Sequence, residues 1–167
     1  MNVKTFRIVS VVLLLALMTT IFCLSAQEAD ESSSLSDGIT VKIIAGFFPE
    51  FEDLSEIEQE EIIHDTTFYV RKLAHFSLYF LMGFLSFLTI SSYKKIKLFL
   101  KFLFSYLFSV LYAASDEIHQ FFVPGRSCEL RDVFIDSCGV ILSLIIILIV
   151  CACSKRIKAL ISFEVKV

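Results

Sequence analysis

Four apolar runs, each close to the length needed to cross a bilayer, limit what this chain can fold into. They are Phe6–Leu24, Phe68–Ile90, Leu98–Ala114 and Val133–Cys153. A helix needs about 20 apolar residues to cross about 30 Å of hydrocarbon. Lipid offers the backbone no hydrogen bonds, so unbroken runs of this length fold as helices. The expected fold is an all-α membrane protein, a four-transmembrane-helix bundle with a helical extracytoplasmic first loop. Hydrophobic residues make up 56% of the 167, above the roughly 45–50% of a soluble domain. A single membrane domain over residues 1–167 is expected. Its spans lie near 6–24, 68–90, 98–114 and 133–153, with outer loops at 25–67 and 115–132. A net charge of −3 carries no basic signature, so no nucleic-acid partner is expected.

The placement of charge is more informative than its sum. Lys4 and Arg7 bracket the start of the first run, Lys94, Lys95, Lys97 and Lys101 lie between the second and third, and Lys155, Arg156 and Lys158 follow the fourth. Basic residues favour the cytoplasmic side, which places both termini in the cytoplasm. Of the 18 acids, all but Glu164 fall in the two opposite loops or at helix ends facing them. The alternative for the first run is a cleaved signal peptide, with "LSA" before Gln27 as its cleavage site. That would leave three spans. The five cysteines form neither an obvious disulfide framework nor a zinc pattern.

The first outer loop is acidic but patterned. Leu35, Ile39, Ile43 and Phe47 recur at helical steps until Pro49 interrupts them. Ser55 and Glu58 have capping-box spacing, which predicts a short acidic helix over Glu56–His64. Both helices suit a position on the membrane surface or over the bundle end. The second outer loop turns at Pro124-Gly125.

Around these loops the polar residues recur at helical intervals. Lys72, His75 and Tyr79 share one face of the second span, and Gly83 continues that face. Glu117 and Gln120 share a face of the third, as do Asp116 and Gln120; Asp132 and Asp136 lie one turn apart on the fourth. Ionisable groups at membrane depth normally face the bundle interior or water. Three such faces at one end predict a shared outward-facing pocket. The competing interpretation is that polar residues simply hold the helices together.

"RKLAHFSLYFLMGFL" followed by "DEIHQFFVPGRSCELRDVFIDSCG" resembles the VanZ-like family of small bacterial membrane proteins. Lys72, His75, Phe76, Tyr79 and Gly83 match the family's second-helix pattern, with Met82 where leucine is usual. Glu117, Gln120, Phe122, Pro124 and Arg126 match its loop pattern. Asp132 and Gly139 match its last helix, where Asp136 replaces the usual asparagine. The resemblance spans about residues 20 to 145 and implies a place in the bacterial cytoplasmic membrane. It also implies a link to resistance to the glycopeptide teicoplanin, but supplies no biochemical activity.

The chemistry of these residues supports several functions. Lys72 and Arg126 suit the anionic group of a membrane lipid or a lipid-linked cell-wall precursor, because a guanidinium binds two oxygens at once. Tyr79, Gln120 and Asp136 complete the expected ligand-binding set. An intramembrane lipid-modifying enzyme would use His75 as acid/base, with Glu117 and Asp132 assisting. A purely structural protein is the third reading. No cofactor and no metal are expected, since the spacing of His75, Glu117, His119 and Asp132 is generic. Transport is disfavoured because no repeat or broken helix is visible.

Overall fold

The computed structural model describes residues 2–153. Lys155, Arg156, Lys158 and Glu164, which entered the charge argument, lie outside the described residues. Within them the chain forms five α-helices and no strand. These are α1 (Val3–Ser25), α2 (Ala29–Phe47), α3 (Glu56–Ser91), α4 (Leu98–Gln120) and α5 (Leu130–Cys153), with a 3₁₀ turn at Pro49–Asp53. Helices α1, α3, α4 and α5 are long and apolar enough to cross a membrane.

The four spans alternate in direction, so their ends collect into two poles. At one pole Arg7 joins the start of α1 to the end of α3, its Nε donating to Ser92 Oγ at 3.1 Å. At the other, Ser25 at the end of α1 donates through Oγ to Asp116 Oδ2 near the end of α4, at 2.8 Å. Lys4, Arg7, Lys94, Lys95 and Lys97 belong to the first pole, which is therefore basic. The polar faces identified in the sequence belong to the second, acidic pole.

Close backbone approach holds α3 against α5. A Cβ on Gly139 would overlap the carbonyl oxygen of Phe76, and one on Gly83 would meet Val140 at 3.2 Å. Small residues at such crossings let membrane helices pack by dispersion where no hydrophobic force acts between them. Hydroxyls assist: Ser109 donates to Ser86 at 3.2 Å, and Tyr112 Oη to the Met18 carbonyl at 2.7 Å. Inside lie Leu14, Ile21, Tyr79, Met82, Val140 and Leu144, all buried. Outside, Leu13, Leu15, Phe99, Leu111 and Phe134 are exposed. A continuous apolar exterior of this kind suits lipid and is unusual in a monomer surrounded by water.

One element differs from expectation. The acidic helix does not stop at His64 but runs through Asp65, Thr66 and Thr67 into the span, giving one helix of 36 residues. The capping box at its start is present, with Ser55 Oγ accepting from the Glu58 backbone and Glu58 accepting from the Ser55 backbone. At the junction Thr67 turns its hydroxyl to α2, donating to Asp37 Oδ1 at 2.7 Å and meeting Thr40 Oγ1 at 3.1 Å. At 1.5 Å per residue, the part before Phe68 extends α3 about 18 Å beyond the apolar run. Helix α2 leans on this extension through buried Thr40 and Ile44, while its stripe of Leu35, Ile39, Ile43 and Phe47 faces outward.

Candidate functional site

The site is organised by the α4–α5 connection. Val123 to Arg126 form a turn closed by the Arg126 backbone N–H donating to the Val123 carbonyl at 3.1 Å. Gly125 has φ +73, and a Cβ there would stand 2.8 Å from the Ala29 side chain. Proline at the second turn position and glycine at the third fit a type II turn. The turn docks on α2, whose Ala29 backbone N–H donates to the Pro124 carbonyl at 3.3 Å.

This turn aims Arg126 back over the helix ends. Its Nε donates to the Gln27 carbonyl at 3.2 Å, one terminal nitrogen to the Leu24 carbonyl at 3.4 Å, and the other to Gln120 Oε1 at 3.4 Å. The side chain thus satisfies carbonyls at and just past the end of α1, where a cation also meets the negative end of the helix dipole. Burial, and next the neighbouring Arg71 charge, lower the Arg126 pKa from its ordinary value, opposed by Asp116 and Glu117. Arg126 forms no salt bridge with Asp132. Lys72 takes both oxygens of Asp132 instead, tying α3 to the first turn of α5.

A cavity of about 230 Å³ opens between these groups. Lys72, His75, Gln120, Arg126 and Asp132 line it, together with Phe68, Arg71, Glu129 and Arg131. Four cationic side chains thus face two carboxylates. Two of the cations are already engaged, since Lys72 pairs with Asp132 and Arg131 with Glu129 at 2.7 Å. Arg126 is held by neutral oxygens, and Arg71 makes no hydrogen bond or ion pair with a described residue. The cavity lining therefore carries more cations than carboxylates, with Asp116 and Glu117 behind its wall within electrostatic reach of Arg126.

The remaining candidates lie behind its wall. Glu117 is buried, and its Oε1 accepts from the Glu129 backbone N–H at 2.7 Å, so it fixes the loop instead of lining the cavity. Tyr79 and Asp136 sit one helical turn deeper than His75 and Asp132, and both are buried. Tyr79 Oη, Asp136 Oδ1 and Asp116 Oδ1 find no hydrogen-bond partner among the described residues. Asp116 holds the back of the site through its other oxygen, which accepts from Ser25 at 2.8 Å and from Gln120 Nε2 at 3.2 Å. His119 is turned away, stacked on Phe22 with ring centroids 4.5 Å apart. Ser127 donates to Glu129 at 3.2 Å, and Cys128 is an exposed free thiol.

Phe68, Arg71 and Glu129 line the cavity but were outside the expected set, and Arg71 is the cation among them. It stands four residues before His75, so helical spacing already puts it beside that histidine on one face of α3. Only the placement of α2 and of the α4–α5 turn brings that face into a cavity. No curated protein and no solved structure matches the chain. A model of the VanZ/LLP1 family matches residues 10–151 of the 167. That match runs from the first span to the last and takes in every residue of the polar pole, and the chain belongs to the VanZ/LLP1 family.

Proposed function

We propose that the polar cavity faces outward from a bacterial cytoplasmic membrane, with both termini inside, and binds the anionic head of an envelope lipid or lipid-linked wall precursor. The observation that carries this reading is the unbalanced charge of the cavity: four cations against two carboxylates, with Arg71 unpaired. A half-buried guanidinium without a counterion is electrostatically incomplete, and a phosphate or carboxylate completes it with two parallel hydrogen bonds. The family link to glycopeptide resistance fits a protein that engages such a molecule on the outer face.

His75 gives a second reading specific support. Its ring lines the same cavity and makes no hydrogen bond with a described residue, which leaves it free to exchange a proton with a bound lipid. Turnover of that lipid by the purified protein distinguishes an enzyme from a binding module.

Thermal melting in detergent tests the binding reading. Anionic phospholipid added to delipidated protein should raise the melting temperature, and zwitterionic phospholipid should not. Arg126→Lys should fold, because an ammonium can still reach one α1 carbonyl, but its lipid-dependent shift should shrink. Equal shifts in wild type, Arg126→Lys and Arg126→Ala would remove Arg126 from the binding site.

A further inference from the structure

Three residues of the polar cavity also line a neighbouring one. A second cavity, of about 170 Å³, shares Arg71, His75 and Arg126 as walls. Its other walls are mainly apolar: Ile21 and Leu24 from α1, Leu35 and Ile39 from α2, Ala74 and Leu78 from α3. Leu24, Leu35 and Ile39 are 43%, 51% and 49% exposed, so the slot opens to the side of the bundle. One end of an apolar slot is therefore closed by two guanidiniums.

These two features narrow the occupant. A free anion fits the cationic end but gains nothing from the apolar walls, and a hydrocarbon alone leaves Arg71 without a partner. A molecule with a negatively charged head and an apolar tail satisfies both. We infer that the slot between α1, α2 and α3 seats a hydrocarbon chain of a phosphate-ester lipid, whose phosphate lies between Arg71 and Arg126. The lipid reaches this position sideways from the outer leaflet. The inference rests on reading the polar cavity as an anion site, and it adds the chain, its route and the role of Arg71.

The slot and the cavity can be tested separately. Ala74 is exposed, so Ala74→Trp fills the slot without entering the core. Ile39→Trp fills it from the α2 side and serves if the first variant does not fold. Two probes are offered to the full-length protein in detergent: long-chain phosphatidate, followed by native mass spectrometry, and chainless glycerol 3-phosphate, followed by its shift of the melting curve. Filling the slot should lower phosphatidate retention by about tenfold or more and leave the glycerol 3-phosphate shift intact. Arg71→Ala should reduce both. If the slot-filling variants keep phosphatidate at the wild-type level while Arg71→Ala loses it, the slot inference is overturned and the anion site stands. If Arg71→Ala keeps both, or wild type binds neither, the anion site itself is overturned and the inference with it.

Discussion

Asp136 brings a carboxylate to a position only 3% exposed, and its Oδ1 has no hydrogen-bond partner among the described residues. An ionised carboxylate there carries a large desolvation penalty, and the neighbouring Asp116 adds like charge when both are ionised. Asparagine has nearly the same shape, adds two donors and carries no charge. Asp136→Asn should therefore raise stability, by about 1–3 kcal/mol if Oδ1 stays unpaired in the wild type, seen as a higher melting temperature in detergent. A lower melting temperature would mean that the carboxylate holds a proton or an ion the bundle needs. Residue type made Asp136 and Tyr79 visible in the sequence, but their depth was not. Both were assigned to the ligand because they share helix faces with His75 and Asp132, yet one further turn takes each of them below the cavity. Arg71 shows the converse, a residue four positions before His75 that the same helical spacing could have placed in the site.

Helix α3 organises the molecule, since it touches α1, α2, α4 and α5. Its crossing with α5 is set by Gly139 and Gly83, and the two glycines should respond differently to alanine. At Gly139 the new methyl overlaps the Phe76 carbonyl and lies 3.1 Å from the Phe80 backbone nitrogen, neither of which can rotate away. At Gly83 it meets Val140 at 3.2 Å, where part of the contact is a side chain. Overpacking costs typically about 1–3 kcal/mol, while replacing a mid-helix glycine by alanine returns about 1 kcal/mol. Gly139→Ala should thus destabilise clearly and Gly83→Ala only slightly, measured by unfolding in mixed micelles. Equal effects would contradict the close crossing at Gly139. At this scale the long apolar runs and the Ser55–Glu58 spacing were readable, because hydrophobic length and capping are local properties. The continuity of α3 through Asp65 and the threonines was not, because the change there from acidic to apolar composition looks like an element boundary. Nor could the stripe on α2 reveal which side its neighbour covers: the apolar face looks outward, and the buried contacts come from Thr40 and Ile44.

Across the whole molecule the acids sort by pole: among the described residues none lies at the end that carries Lys4, Arg7, Lys94, Lys95 and Lys97, and the cavity is at the other end. The proposed orientation, which follows the positive-inside bias, puts the basic pole in the cytoplasm. Single cysteines at Ser32 and Ser127 in a cysteine-free background should react with an impermeant reagent on intact cells. One at Lys94 should react only after the membrane is opened, and the reverse pattern would place the cavity inside. On the function proposed above, the cavity faces outward and, with the apolar slot beside it, holds an amphiphile with a negative head. The direct measurement of that claim is native mass spectrometry of the protein extracted gently from its membrane. The account predicts a bound lipid that fragments to a phosphate-bearing head, present in wild type and depleted in Arg71→Ala. Bare wild-type protein, or an adduct that Arg71→Ala retains in full, would contradict it.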